Sequence, residues 1–301
     1  MAASNPVLIT GAGGVGRSVL EKLRARDVPV RVMVRRDDDR AAQLRALGAE
    51  VVLGDLTRPE TVAVALEGAR SMYFAMPVSP DHLLASTIVA SVARDYGGLD
   101  ALVDMSQMTV SQMTATSTAE SRQQRLHWLA EQVFDWSGLP VVHIRPTSFL
   151  DNPLFTTLPA QTIRKRGTIE LPFGTGRTSP IAVDDVARVV ATVLNDPAPH
   201  AGHVYELTGP RTVDMTEMAE VFSKALGRPI SYVDVPLEQW RSGVLSTIGL
   251  PSHIEQHIVT MCRLHQQNRY DRTSDAVERL TGAPASGIED FVAARKDYYL
   301  A

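Results

Sequence analysis

The feature that most constrains this chain is a turn. In VLITGAGGVGRSVLEKL, residues 7–23, four glycines fall within six positions between an apolar run and a helical pattern. Gly11-Ala12-Gly13-Gly14-Val15-Gly16 fits G-x-G-x-x-G directly after a strand and at the head of a helix, the context that gives the pattern its meaning. Glycine allows the tight turn and lets the backbone come close to a pyrophosphate. The charge of that group is met by the free N–H groups and the positive end of the helix. The turn therefore predicts a βαβ start that binds a dinucleotide, not merely a flexible connection.

The rest of the chain agrees with such a start. Strand-type runs at 7–10, 30–34, 50–53, 71–75, 101–105, 141–144 and 203–207 alternate with helical periodicity over 17–26, 40–47, 60–66, 83–96 and 119–136. That alternation is the signature of parallel strands joined by crossover helices, so the fold class is α/β with a doubly wound parallel sheet. Residues 1–150 read as the dinucleotide-binding domain and 151–301 as a smaller C-terminal substrate lobe. The lobe interleaves with the sheet, because 181–194 and the last strand read as returns to it. At 301 residues and 44% hydrophobic, the chain is long enough to bury a large core.

Several function classes are excluded by composition. A formal net charge of -4 and a pI near 6.1 supply no electrostatic reason to approach nucleic acid or an anionic membrane. The one short basic run, Arg164-Lys165-Arg166, reads as a solvated helix end. No apolar stretch approaches the roughly 18 residues that span a bilayer. The start MAASNP has no basic leader, so a cytoplasmic location is expected. Cys262 is the single cysteine, which rules out an internal disulfide framework and reads as a buried or idle thiol. No metal is expected: His253 and His257, four apart on a late helix with His265 further on, lack a third ligand.

The choice of dinucleotide is made at the end of the second strand, in VRVMVRRDDD. An acidic residue there would hold the ribose 2′-hydroxyl, whereas an arginine accepts a 2′-phosphate. Arg35 and Arg36 occupy that place, and Asp37, Asp38 and Asp39 follow them. NADP is the predicted cofactor, and the alternative is an exposed Arg/Asp cluster paired with itself.

At this point the chain resembles the NmrA-like family, an atypical branch of the short-chain dehydrogenase/reductases. The resemblance rests on ITGAGGVG, on GDL at 54–56, on HWLAEQVFDWSGLPVVHIRPTSFLDN at 127–152 and on SPIAVDDVARV at 179–189. It covers nearly the whole length, although the loop is one residue shorter than the family's T-G-x-x-G-x-x-G. The resemblance implies a Rossmann fold bound to NADP and a C-terminal substrate lobe. Members of the family divide between true reductases and redox-sensing regulators without turnover.

By the same resemblance, Thr10, Gly11, Gly13, Gly14, Val15 and Gly16 wrap the pyrophosphate, while Asp55 and Leu56 flank the adenine. Ala75, Met76 and Pro77 line the ribose. Pro146, Thr147 and Phe149 approach the nicotinamide, and Asn152 and Phe155 face the substrate. Ser106 follows the fifth strand at the carboxyl edge where open α/β sheets bind ligands. It stands where the wider superfamily often keeps a catalytic serine, and a plain strand-end turn residue reads equally well. The superfamily's Tyr-x-x-x-Lys pair falls on Gln123 and His127. The tyrosine that gives or takes a proton is thus replaced, and so is the lysine that holds the ribose. One turn of helix separates His127 from Gln123 and from Glu131, and it shares a face with Ala130 and Phe134. Structural, ribose-binding and proton-supplying roles all remain open for it.

Three further features carry bland readings. His143 lies inside an apolar strand and reads as a satisfied core residue. Asp184 and Asp185 read as the cap of a helix beginning at Val186. LPFGTGRTSP reads as a glycine-rich loop with no strand before it. The expected function is hydride transfer from NADPH to a small conjugated acceptor such as a quinone, catalysed without the usual pair. The alternative is a non-catalytic NADP(H)-binding sensor acting through a protein partner. Phe155, Leu158, Trp240, Leu250 and Met261 read equally as core and as pocket.

Overall fold

Parallel strands rich in Val, Ile, Leu and Met build the centre of the molecule, as expected for a sheet covered on both faces. The computed structural model describes residues 5–301, so the first four residues of the start read above lie outside the described residues. The chain runs β1 (Val7–Ile9), α1 (Gly14–Arg24), β2 (Val30–Val34), α2 (Asp39–Ala46), β3 (Glu50–Leu53), α3 (Pro59–Leu66), β4 (Ser71–Phe74), α4 (His82–Tyr96), β5 (Ala101–Met105), α5 (Arg122–Ser137) and β6 (Val141–Pro146). It continues with α6 (Thr157–Arg166), β7 (Thr168–Leu171), α7 (Val183–Asn195), β8 (Val204–Leu207), α8 (Met215–Leu226), β9 (Ser231–Asp234), α9 (Leu237–Gly243) and α10 (Ser252–Gln266). Short helical segments complete the C-terminus.

The main sheet has seven strands in the order β3-β2-β1-β4-β5-β6-β8. Its pairings are parallel, for example Val7 with Val30 on one side and with Ser71 on the other. The order reverses between β1 and β4, which is where a doubly wound sheet opens a crevice at its carboxyl end. Central strands β1 and β4 are buried throughout, whereas edge strand β3 is exposed at both ends. Each of the seven strands expected from the sequence is present, with ends shifted by two residues at most.

By its contacts the chain divides into two compact units, one of residues 1–110, 125–145 and 186–205, the other of 111–124, 146–185 and 206–301. The first is built on the sheet and packs Leu8, Phe74, Val89, Leu102 and Phe134 into one core. In the second, Phe155, Phe173, Phe222, Trp240, Met261 and Tyr299 form another, with Leu158 and Leu250 packed against it.

Four local expectations are corrected. β7 and β9 pair in parallel as a separate two-stranded sheet; their half-polar sequences, TIEL and SYVD, carry too little periodicity to reveal them. β7 runs into LPFGTGRTSP, so that loop does follow a strand. A Cβ on its Gly176 would lie 1.9 Å from the carbonyl oxygen of His265, so the glycine is required by close packing on α10. α5 begins at Arg122 rather than 119, because Glu120 leaves the helix to pair with Arg269 at 2.8 Å. α7 begins at Val183, not Val186. Asp184 and Asp185 therefore sit in its first turn, the Val183 N–H donates to Asp151 instead, and Asp185 accepts from the backbone and hydroxyl of Ser286. Two of the late-helix histidines have partners: His257 Nδ1 is 2.8 Å from the Ser121 hydroxyl, and His265 stacks on Phe173 at 4.1 Å.

His143 is a satisfied core residue, held by charge. Its Nδ1 is 2.9 Å from Asp104 and its Nε2 is 3.0 Å from Asp135, while beside it Arg145 clamps Glu131 through two nitrogens. Ligand atoms of Asp104, Glu131 and His143 lie within 4.8 Å of one another, a spacing that a metal could use. Here the arginine and the imidazolium already balance the carboxylates. Burial alone would lower the His143 pKa, but the bonds to Asp104 and Asp135 override it and raise it to about 9. The unfolded value is near 6.5, so the stability that this pair contributes is complete below that pH and is lost as pH rises through about 9. The melting temperature is expected to fall by several degrees between pH 7 and pH 9.5. His143→Gln should melt lower at neutral pH and show a flatter alkaline profile; differential scanning calorimetry across that range checks both.

Candidate functional site

The site begins where the glycine turn meets the end of β4. Thr10 is buried, and its hydroxyl bridges to β4, lying 3.3 Å from the Tyr73 carbonyl and 3.2 Å from the Ala75 carbonyl while accepting from the Ala75 N–H at 3.1 Å. Its side chain thus ties the turn to the sheet. Gly11 has φ +68°, and a Cβ there would sit 2.4 Å from the Ala75 carbonyl oxygen; one on Gly16 would sit 2.3 Å from that of Gly11. Both glycines are dictated by close backbone approach. Around Gly14 there is open space.

At this turn α1 starts without a side-chain cap and with no acidic residue in its first turn. The next helix differs: Asp38 caps α2 by accepting from the N–H groups of Arg40 and Ala41. The uncapped N–H groups and positive end of α1, beside open space at Gly14, fit a pyrophosphate.

Past β2, two of the three aspartates are engaged elsewhere than with the arginines before them. Asp37 pairs with Arg45 at 2.6 Å and Asp38 is the α2 cap. Arg35 and Arg36 are exposed, and Arg35 acts on Asp55, which is held ionised by bonds from the Thr57 N–H and hydroxyl and by that positive charge. A third arginine, Arg40, was not singled out from the sequence. Its guanidinium reaches back over the turn, 2.7 Å from where a Cβ on Gly13 would stand. The available signal was its place in the first turn of the helix that Asp38 caps, just after β2.

The remaining candidates in this unit lie at or after the carboxyl ends of its strands. Leu56 packs partly against the core, Ala75 and Met76 are half-buried and Pro77 is exposed. Ser106 follows β5 and is only 4% exposed; its N–H donates to Ile144, but its hydroxyl has no partner. His127 is half-buried on α5, with its ring 4.2 Å from that of His82 at the start of α4. A buried hydroxyl without a partner is an exception that asks for a ligand or a role.

In the second unit, Pro146 and Thr147 are buried. The Thr147 N–H donates to Leu207 and its hydroxyl to Ser179 at 2.6 Å. Phe149 is half-buried and bridges to Ile181. Asn152 closes a turn by accepting from the Leu154 N–H, and Phe155 lies inside the core against Phe173 and His265. Phe155 therefore presents no open face, contrary to the expectation that it faces a substrate; the bulk that suggested a pocket wall is used in packing. Gln123 is also buried.

A profile of the NmrA-like family matches residues 3–292. The chain belongs to the NmrA-like family. Over 290 residues, 96% of each chain, it is 28% identical to an NAD(P)H azoreductase of Xenophilus azovorans. Its fold is that of an NADPH-dependent quinone oxidoreductase of Escherichia coli solved with NADPH, with a TM-score of 0.83 at 22% identity over 96% of this chain and 99% of the other. It is likewise that of NmrA, a negative transcriptional regulator solved with NADP, with a TM-score of 0.80 at 18% identity over 96% and 95% of the two chains. Among the described residues of this member, no helix is long and apolar enough to cross a membrane.

The turn geometry separates two glycines that look alike in sequence. Gly16→Ala meets a fixed carbonyl and should lower the melting temperature by ten degrees or more or prevent folding, in line with about 1–3 kcal/mol or more for overpacking a tight site. Gly13→Ala meets only the mobile end of Arg40 and should melt within about two degrees of the parent, since surface changes of this kind are usually within about 0.5 kcal/mol. Thermal melts of the two variants side by side check the ranking.

Proposed function

We propose that this protein binds NADPH and reduces a small conjugated acceptor, a quinone or an azo compound, by two electrons. The observation that carries the reading is the uncapped glycine turn with Arg40 reaching over Gly13, together with exposed Arg35 and Arg36 after β2, whose neighbours Asp37 and Asp38 are engaged elsewhere; the likeness to an NAD(P)H azoreductase along 96% of the chain supports it. In this reading Thr10 and the turn Gly11 to Gly16, with Val15, wrap the pyrophosphate, and its N–H donors are the free ones of the turn, the Gly16 N–H being bonded to the Gly13 carbonyl. Arg35 and Arg36 hold the 2′-phosphate, with Arg40 adding its charge from the Gly13 side. Asp55 and Leu56 flank the adenine, and Ala75, Met76 and Pro77 line the ribose. Pro146, Thr147 and Phe149 border the nicotinamide, and Asn152 contacts the acceptor.

The chemistry follows from what stands at the positions of the old catalytic pair. NADPH, when bound, supplies one hydride, and with one proton from water this converts a quinone to a hydroquinone or an azo group to a hydrazo group. Gln123 in place of a tyrosine offers no phenolic acid. An acceptor whose reduced form delocalises negative charge needs none, because water delivers the proton afterwards. The partnerless Ser106 hydroxyl donates to the developing anion, and such donors act most strongly in a dry site. His127 takes the place of the ribose-holding lysine and supplies a proton when it carries one.

A second reading, a sensor that binds NADP(H) without turnover and signals through a protein partner, is favoured by Gln123 itself and by the shared fold of the regulator NmrA. Stopped-flow oxidation of NADPH by quinones separates the two, since a sensor gives none. Arg35→Ala should weaken NADPH by about 10- to 100-fold and NADH by far less, given about 1.5–3 kcal/mol for a hydrogen bond to a charged group. Simple aliphatic ketones should be reduced negligibly, because general acid catalysis contributes about 10²- to 10⁴-fold. Equal losses for both cofactors, or efficient ketone reduction, overturn the assignment.

A further inference from the structure

α4 and α5 lie side by side on one face of the sheet, where Ala85, Val89, Ala130 and Phe134 enter one core. Each carries the chain from the end of one parallel strand to the start of the next, so the two helices run in the same direction. Away from that core α4 turns out Leu84, Thr87, Ile88 and Ser91, and α5 turns out Arg125, Trp128, Leu129, Gln132 and Trp136. Both sets follow the i, i+3, i+4, i+7 spacing of a stripe that packs against a neighbour. Trp136 is 77% exposed and Leu84 52%, while Ile88, Trp128 and Leu129 are half-buried. The hydroxyls ask nothing of a partner: that of Thr87 donates to the Leu83 carbonyl and that of Ser91 to the Thr87 carbonyl, each within the helix. Covering this face removes apolar area from water and strands no hydroxyl. Contiguous apolar surface of this kind marks an interaction site, whereas scattered exposed side chains do not.

We propose that the α4–α5 face is where two copies of this chain pair, about a two-fold axis that crosses the helices at right angles near their middle. Arg125 is the one charged member of the two stripes, so the face offers little to a charged partner and fits an uncharged face like itself. A two-fold interface supplies that face, because the same patch is used on both sides. About such an axis α5 lies antiparallel on α5 of the other copy, and α4 on α4. An axis midway between Leu129 and Gln132 sets these two residues against each other and brings Arg125 of each copy over the Trp136 ring of the other, a cation–π contact made twice. The single charge of the stripe is thereby met by an exposed aromatic ring. Helices of 15 and 16 residues are about 22–24 Å long, and two abreast, each roughly 10 Å wide, cover on the order of 500 Å² in projection. That is below the roughly 800 Å² per partner of standard interfaces, so the pair is a weak one that forms at micromolar concentrations. Nothing in it depends on which cofactor binds.

Sedimentation velocity of the full chain from about 1 to about 200 μM, the range in which weak pairs come apart, tests this. The weight-average mass should rise from 32.8 kDa toward twice that value. Trp136→Glu and Leu84→Glu each put a carboxylate on the face at an exposed position. Each should stay monomeric throughout while keeping the melting temperature and NADPH affinity of the parent, and either one suffices if the other fails to fold. Arg125→Ala should raise the dissociation constant by about 5- to 30-fold, through loss of two cation–π contacts. A parent that is monomeric at the highest concentration overturns the proposal, whatever other protein it recruits, and so does a dimer that survives both glutamate substitutions. A dimer indifferent to Arg125→Ala overturns the proposed axis.

Discussion

The close approach of the first turn to the end of β4 is the constraint on which the sheet unit depends. Gly11 lies against the Ala75 carbonyl, Gly16 against the Gly11 carbonyl, and the Thr10 hydroxyl ties the turn to both Tyr73 and Ala75. These contacts leave no room for a side chain at two positions and fix where α1 begins. The helix start is thereby placed between β1 and β4, the point at which the strand order reverses. Its lack of a cap is a liability for the helix alone and becomes useful only with an anion to hold.

Polar groups in the same unit fall into two sets. His143, on β6, bonds both Asp104 on β5 and Asp135, and Glu131 pairs with Arg145, so these groups serve as structural charge, although the second Asp104 oxygen is left without a partner. The Ser106 hydroxyl and the His82 ring are buried without partners, and both follow the carboxyl ends of strands, β5 and β4. Low dielectric strengthens a satisfied network and penalises an orphaned group. A chain that commits both nitrogens of His143, one to Asp104 and one to Asp135, yet leaves the Ser106 hydroxyl and the His82 ring without partners, separates groups that hold the fold from groups available for chemistry. In the second unit Trp240 and Thr178 carry similar orphan atoms within its packed interior, so burial without a partner points to function only where the position in the sheet does too.

Much of this was legible in the sequence because it depends on local pattern. Period, turn residues and capping signals are properties of ten or so neighbouring residues, so the seven strands, their parallel order of crossovers and the dinucleotide turn could be read directly. Arg35 and Arg36 were legible for the same reason, being two residues at a fixed place after a strand. The half-polar strands β7 and β9 were not, since each acquires its extended form only by pairing with the other across more than sixty residues. The start of α7 was misplaced because its first N–H is met by Asp151, thirty-two positions earlier, rather than by the aspartates beside it.

By itself, then, the sequence determined the class of fold, the glycine turn and the paired arginines after β2 that are proposed to hold a 2′-phosphate, because each follows from residue type at short spacing. Tertiary structure alone decided which charges remain uncommitted. Asp37 goes to Arg45 and Asp38 to the α2 start, which leaves Arg35 and Arg36 exposed and brings Arg40 over Gly13. It also decided that Phe155 belongs to a core and that His127 lies against a buried, partnerless His82. The physical reason is the same in each case: burial and hydrogen-bond satisfaction are properties of the space around a side chain, and that space is filled by residues distant along the chain.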